Sequence, residues 1–520
     1  MLNNIVLKAS LFLCLLFIGI GVLFTEALST SASTILNFLI THFDWFYLTS
    51  GTIFVILCLY LMFSKYGSIR LGKNTDRPDY STKSWIAMLF SGGMGVGLVF
   101  WAVAEPLYHY VTPPYGEGGT AEAAHIAMQY TFFHWGVFPW AIFAVMGLGL
   151  AYFQFRKGLP ASISSLFYPV LGDRIYSPIG KSIDILAVFI TAIGVASTLG
   201  LSTLQINGGL NYLWGAPNTV ITQILIIAIA TAFFLISSCS GLDKGIKLLS
   251  NVNMLIAFAL MLSIFLLGPT AQILQVLVST TGSHVQTMID TSVRLQPFNS
   301  EENAWVSSWT VFYWAWWMTW APFVGSFVAR ISKGRTIKEY VLGVLLVPTF
   351  ITFIWFSIFG GAALHLVHDL GFTALADDVH SDITLALFSF FSYFPLSMLL
   401  SIAALILIFT FLITSADSAT FVLGMLSDGG NLNPSNQIKI MWGLIIAGSS
   451  IVFLLAGGLE AVKTLSIVVA SPFTLLMVII CYSILKALKK DGFETSEELE
   501  AENESNIDSI HSNSSKKKSS

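Results

Sequence analysis

The sequence predicts an all-α integral membrane protein with about twelve transmembrane helices, and three observations predict it. Hydrophobic residues supply 55% of the 520 positions and charged residues only 10%, whereas a soluble domain carries about 25% charged residues. Apolar runs long enough to span a bilayer core recur along the whole chain. Lysine and arginine gather in alternate connections between those runs. A net charge of −4 supplies no basic surface for nucleic acid. No nucleophile–base pair or metal-ligand cluster stands out, which argues against an enzyme.

The apolar cores fall at 5–25, 44–64, 85–110, 124–153, 180–212, 217–238, 250–270, 305–330, 339–366, 394–426, 437–457 and 464–487. The first lacks a small-residue cleavage pattern and reads as a retained helix rather than a signal peptide. Several exceed the roughly 20 residues of a straight crossing, so tilt, breaks or protrusion are expected. Lys65, Arg70, Lys73, Arg77 and Lys83 follow the second run. Arg156, Lys157, Arg174 and Lys181 follow the fourth, Lys244 and Lys247 the sixth, and Arg330, Lys333, Arg335 and Lys338 the eighth. The alternate connections carry acidic residues, among them Glu117, Glu122, Asp290, Glu301 and Asp369. The positive-inside rule therefore places both termini in the cytoplasm, and an even number of spans agrees. After Lys490 the chain becomes polar, with glutamates crowded from Glu494 to Glu504 and a Ser-rich end. That tail is expected to be disordered or a loose surface helix. Cys14, Cys58, Cys239 and Cys481 lie within or at the ends of apolar segments without paired spacing, and read as small apolar residues.

The eighth run stands apart. Between Trp305 and Arg330 lie six of the 14 tryptophans: Trp305, Trp309, Trp314, Trp316, Trp317 and Trp320. On a helix, Trp305, Trp309, Tyr313, Trp316, Trp320 and Phe323 form one aromatic stripe, with Trp317 on its shoulder. Interfacial anchoring explains one or two tryptophans at each end of a span. A file of them through the middle points instead to π-faces holding a quaternary ammonium group, a cation with no N–H to donate. The fourth run adds His134, Trp135, Pro139, Trp140 and Phe143. Trp135 and Trp140 are about 140° apart on an ideal helix and line one cavity only if Pro139 bends the segment. His134 reads as a structural hydrogen-bonding residue rather than a proton carrier.

The third run contains SGGMGVG, Ser91 to Gly97. Each glycine weakens a helix by about 1 kcal/mol. Such a cluster serves either close helix packing or an unwound segment whose freed carbonyls meet a cation while the second half-helix points its N-terminus at an anion; the clustering favours unwinding. In the tenth run, Phe411, Thr414, Ser415, Asp417 and Ser418 bring hydroxyls and one carboxylate into a membrane segment. Hydroxyls there often bond back to their own helix, but an intramembrane Asp calls for a partner. Thr191, Ser197 and Thr198 of the fifth run offer oxygens in the same way.

With these segments in view, the chain resembles the betaine/choline/carnitine family of secondary transporters over nearly its whole length. The motifs that carry the resemblance are GMGVGLVFWAVAEP (Gly93 to Pro106), HWGVFPWAIF (His134 to Phe143), SGLDKGIK (Ser240 to Lys247), the Trp-rich run continuing into ARISKGRTIKE (Ala329 to Glu339), and TSADS (Thr414 to Ser418). The resemblance implies a fold similar to sodium-coupled amino-acid symporters: two N-terminal helices in 1–84, inverted five-helix repeats in 85–300 and 301–488, and a cytoplasmic tail in 489–520. It also implies a homotrimer in the plasma membrane. The substrate box it implies is Trp135, Trp140, Phe143, Trp316, Trp317 and Trp320, met by Gly93, Met94 and Gly95 of the broken helix. Phe143 keeps the π-face but lacks the hydroxyl often found there in the family. Proton-coupled choline carriers of the family place Asp at the fifth residue of the Gly-rich motif, where this chain has Gly97, so the implied coupling ion is sodium. One implied sodium site uses Ser91, Met94, Phe411, Thr414 and Ser415. A second uses Thr191 and Phe323, with Val195 where related betaine carriers have a hydroxyl. The implied activity is import of glycine betaine by sodium symport for osmoprotection, with no further cofactor. A choline or carnitine carrier of the same architecture, or proton coupling, is the alternative.

Overall fold

A backbone inside hydrocarbon must satisfy its own N–H and C=O groups, so long apolar runs become helices. The computed structural model describes residues 4–93, 95–240 and 243–516, with side chains throughout except at 90–93, 240, 243–247 and 492–516. Among the described residues, ten helices are long and apolar enough to cross a membrane. The chain begins with α1 (Ile5–Leu23) and α2 (Thr25–Phe63). The third apolar run is divided into α3 (Thr82–Gly93) and α4 (Val96–Val111), with Gly95 extended between them. The fourth is α5 (Ala121–Trp135) and α6 (Val137–Ala151), joined at Gly136. Then come α7 (Pro178–Trp214), α8 (Val220–Ser240), α9 (Asp243–Leu267) and α10 (Thr270–Val293). The remainder is α11 (Phe312–Ile331), α12 (Ile337–Leu364), α13 (Ser397–Ser427), α14 (Asn436–Leu455) and α15 (Leu459–Lys516).

Two of the runs read from the sequence are not among the ten. The third fails because the glycine cluster cuts it into two short helices, the outcome expected of unwinding. The eighth fails because indole is a weakly apolar group, so a helix built of tryptophan is less hydropathic than its burial suggests. One helix was not anticipated. In α10, Leu274, Val278, Val285 and Ile289 are exposed while Ile273, Thr280, His284 and Thr291 are buried. Its polar face interrupts the apolar run that a span would need.

Local signals fix several ends. Thr336 and Glu339 form a reciprocal capping box that opens α12. Ser177 caps α7 ahead of Pro178, and Gly215 ends it in the left-handed region at φ 68°. The expected polar tail continues α15 as helix to Lys516; its glutamate side chains lie outside the described ones.

The centre of the molecule is α11, which packs on α6, α7 and α15. Missing side chains allow that approach: a Cβ on Gly325 would stand 2.4 Å from Met146 Cγ, and one on Gly194 2.4 Å from Thr319 Oγ1. The aromatic helix is therefore enclosed by protein, not displayed to lipid.

Candidate functional site

The chain leading into α11 starts as a short helix, Ser300–Val306, and widens into a π turn at Ser307–Val311. This turn takes up an extra residue and rotates the helix beyond it. The expected single stripe is divided beyond Tyr313, within the regular helix that follows this turn. Trp305, Trp309 and Tyr313 cluster at one level, while Trp316, Trp317, Trp320 and Phe323 face a cavity of about 1040 Å³. Trp135, Pro139, Trp140 and Phe143 line the same cavity, as do Gly95, Val96 and Gly97 from the start of α4 and Phe411, Thr414 and Ser415 from α13. It runs out to Asp79, Tyr80, Arg330 and Lys333.

All six rings expected to form a box thus border one space. Trp316 and Trp317 are stacked at 4.8 Å and 23°, and Trp135 meets Trp317 edge-on at 4.9 Å and 76°. Phe143 is edge-on both to Trp140, at 5.4 Å, and to Trp317, at 6.1 Å. The bend that lets Trp135 and Trp140 share the cavity is at Gly136, not at Pro139. Proline in the first turn of α6 removes an N–H that has no helical partner anyway. Gly136 has its own reason to be glycine, since a Cβ there would sit 2.5 Å from the Phe132 carbonyl oxygen. Gly97 does similar work at the cavity: a Cβ would stand 3.1 Å from both Trp135 and Trp316.

Each of four indoles donates its N–H away from the cavity. Trp316 donates to Ser197 Oγ at 3.2 Å, Trp317 to the His134 carbonyl at 3.1 Å and Trp320 to the Gly194 carbonyl at 3.0 Å. Trp135 donates to Glu105 Oε2 at 2.6 Å. Buried N–H groups need such acceptors, and meeting them in the wall fixes the orientation of the rings.

Glu105 is the residue that reading from the sequence left without a role. It is fully buried, and its two oxygens face four partners: His134 Nδ1 at 2.7 Å and His109 Nε2 at 3.2 Å on Oε1, and Trp135 and the Tyr313 hydroxyl on Oε2. His134 Nε2 bonds Thr310 Oγ1 at 3.0 Å, so both of its ring nitrogens are engaged, the structural role expected of it. One signal was available: a lone Glu in an apolar span requires a partner. Glu105, His109 and His134 also bring three metal-type ligand atoms within 4.8 Å, which corrects the expectation that no such cluster exists. The 2.7 Å contact between Oε1 and Nδ1 is a hydrogen bond. It is shorter than the roughly 3.3 Å between neighbouring ligands around a tetrahedral zinc with bonds near 2.0 Å.

The residues expected to hold sodium are distributed unevenly. Met94 lies outside the described residues, as does the side chain of Ser91. Thr414 and Ser415 face the cavity near Phe411. Thr414 Oγ1 bonds back to the Thr410 and Phe411 carbonyls at 3.2 and 3.1 Å and accepts from Asn253 Nδ2 at 3.4 Å. Asp417 finds its partner in Ser237 Oγ at 2.6 Å. Thr191 is fully buried, bonded to the Ala187 carbonyl at 2.7 Å, and is not among the cavity-lining residues; Phe323 is. At the mouth, Lys333 lies 3.9 Å from Asp79, and the Arg330 guanidinium is 5.9 Å from the Phe421 ring centre. Arg335 is buried against the Trp85 ring at 4.0 Å, so it supports the loop instead of lining the mouth.

Known proteins resemble this chain over most of its length. The family model described as betaine/carnitine/choline family transporter matches residues 5–493. The chain is similar to the glycine betaine transporter OpuD of Bacillus subtilis, at 47% identity over 91% of this chain and 92% of that protein. It is similar to the ectoine/hydroxyectoine transporter of Virgibacillus pantothenticus at 44%, over 94% and 97%. With a glycine betaine/proline/choline/ectoine transporter of Vibrio parahaemolyticus it shares 42% identity over 88% and 81%.

Proposed function

We propose, from the premise that this chain belongs to the betaine/carnitine/choline family of transporters, that it imports glycine betaine in symport with sodium. Membership makes it a secondary transporter and not an enzyme. The observation that carries the substrate reading is the box itself: Trp135, Trp140, Phe143, Trp316, Trp317 and Trp320 on one cavity, whose carboxylates, Asp79 and Asp417, come from the mouth and α13 and not from the ring-bearing helices. A trimethylammonium group offers no hydrogen-bond donor and is matched by π-faces, each worth about 0.5–2 kcal/mol when desolvated. Three or four such contacts suit a micromolar site. The substrate carboxylate is assigned to the backbone amides at the start of α4, where Gly95, Val96 and Gly97 line the cavity. Gly93 and Met94 belong to the same proposed contact. Choline has no carboxylate to use there.

For coupling, we assign one sodium to the carbonyls around Ser91 and Met94 with Phe411, Thr414 and Ser415, and a second to Thr191 and Phe323. Val195 supplies no oxygen to the second site. The architecture that goes with this reading is twelve crossings with inverted repeats in 85–300 and 301–488, after 1–84 and before the tail 489–520. Both termini are cytoplasmic, the cavity mouth at Arg330 and Lys333 faces the cytoplasm, and the assembly is a homotrimer in the plasma membrane. One sodium crossing about 100 mV contributes about 2.3 kcal/mol and a tenfold gradient about 1.4 kcal/mol. Together these sustain roughly 500-fold accumulation per ion.

The test is uptake of labelled betaine into proteoliposomes under an imposed sodium gradient. Accumulation that needs sodium and is competed by excess betaine is expected. Competition by choline or carnitine alone would replace the substrate, by ectoine alone likewise, and a proton gradient driving uptake without sodium would replace the ion. Changing Thr414 and Ser415 together to Ala is expected to raise the sodium concentration for half-maximal uptake about tenfold or more, the loss of two hard oxygen ligands from one site. An unaltered sodium dependence in the folded variant would remove both residues from the site.

A further inference from the structure

On the side of the box away from the mouth, a second group of rings already holds a cation, and that cation belongs to the chain. Lys463, in the second turn of α15, places its Nζ 4.6 Å from the ring centre of Trp309 and 5.9 Å from that of Phe312. Phe312 in turn stacks on Trp316 of the box at 5.7 Å and 12°. Trp309 is surrounded by Tyr108 at 5.0 Å, Trp101 at 5.6 Å and His109 at 4.6 Å. The Lys463 ammonium is thus separated from the substrate rings by a single phenyl ring. Its nearest acidic neighbour is Glu460, with Nζ 3.6 Å from Oε1 and the Glu side chain 79% exposed, and the buried Glu105 carboxylate acts on it from farther off.

We propose that Lys463 is a specificity-determining residue: its ammonium, seated on Trp309 and Phe312, screens solutes by net charge before they reach the box. The inference rests on the reading of the protein as a carrier of a quaternary-ammonium zwitterion. A carrier must open its central site to each side in turn, and in this proposal the opening opposite the mouth passes these rings, which are buried in the present structure. A solute with net positive charge meets a like charge there and competes with it for the same π-faces. A zwitterion brings a carboxylate that pairs with the ammonium while its methylated end takes the ring. Selection against choline and for betaine then begins one ring outside the box, at a position where no substrate contact was assigned. Arginine would preserve the charge and the ring contact. Methionine would preserve the packing and remove the charge.

The experiment measures the KM for labelled betaine and the inhibition constant of choline in sodium-driven proteoliposome uptake. It uses the wild type, Lys463→Met, Lys463→Arg and Glu460→Gln. The ratio of choline inhibition constant to betaine KM is expected to fall about tenfold in Lys463→Met, as a like charge nearby is removed. It should stay within about twofold of wild type in Lys463→Arg, and rise in Glu460→Gln, where the ammonium loses its nearest counter-charge. Glu460 is exposed enough for that change to leave the fold intact, so the test survives a Met variant that fails to fold. A ratio unmoved in folded Lys463→Met, or unmoved in Glu460→Gln if the Met variant does not fold, overturns the proposal. If the wild type shows no sodium-driven betaine uptake at all, the substrate reading fails instead and the inference goes with it.

Discussion

Replacing Trp317 by leucine is expected to raise the betaine KM about 30-fold, with much less change in the amount of folded protein. Trp317 is the ring most nearly surrounded by the others: it stacks on Trp316, meets Trp135 and Phe143 edge-on, and lies 6.0 Å from Tyr313 at 20°. A desolvated cation–π contact is worth about 2 kcal/mol, which is about 30-fold in affinity. Leucine leaves an apolar wall, so the loss falls on binding more than on packing. Uptake measured across betaine concentrations, with folded protein quantified by size-exclusion chromatography, checks this. A folded variant of unchanged KM would mean that the box does not bind the substrate.

Glu105→Gln is expected to do greater damage, and of another kind. The carboxylate accepts on both oxygens, whereas an amide must turn its NH2 either toward the two histidines or toward Trp135 and Tyr313. With the NH2 toward the histidines both imidazoles must change tautomer to accept, and in either orientation all four partners lose a charged acceptor, a difference of about 1 kcal/mol each between charged and neutral bonds. The sum, about 4 kcal/mol, approaches the lower end of the whole stability of many folded proteins, about 5–15 kcal/mol. A markedly lower thermal midpoint and several-fold less folded protein are expected, and the protein that remains should bind betaine poorly because Trp135 is no longer held. Glu105→Asp keeps the charge and should recover part of both. Thermal unfolding followed by intrinsic fluorescence, paired with uptake, separates the effects. A Gln variant that equals the wild type in both would show that the four contacts carry no weight.

Much of this could be read from residue order. The apolar runs reappear as helices, the glycine cluster interrupts the third of them, and the rings named beforehand border one cavity. What escaped were features that depend on distant or register-shifting contacts. The π turn at Ser307–Val311 leaves no mark in periodicity, and neither does which rings of the stripe meet the cavity: Trp316, Trp317, Trp320 and Phe323 line it, whereas Trp305, Trp309 and Tyr313 do not. Glu105 and His134 are 29 positions apart, and the Lys463–Trp309 contact joins chain segments still farther apart; neither pairing is visible along a single helix. The amphipathic α10 was missed because its Thr, Ser, Gln and His residues look like loop when a long apolar stretch is the search pattern. Pro139 drew attention as the obvious helix breaker, although the glycine three places earlier makes the bend.

The outward-turned indole N–H groups have one more consequence. With those donors bound into the surrounding wall, the box turns ring faces and not N–H groups toward its guest, while acceptors such as Thr414, Ser415 and Asp417 line the chamber from α13. A primary ammonium held against those faces leaves behind hydration that ring faces do not restore, while a fully methylated one sheds only loosely held solvent. On the proposed reading of the box, the trimethylated form of glycine is favoured over glycine itself by its methylation, without a steric gate.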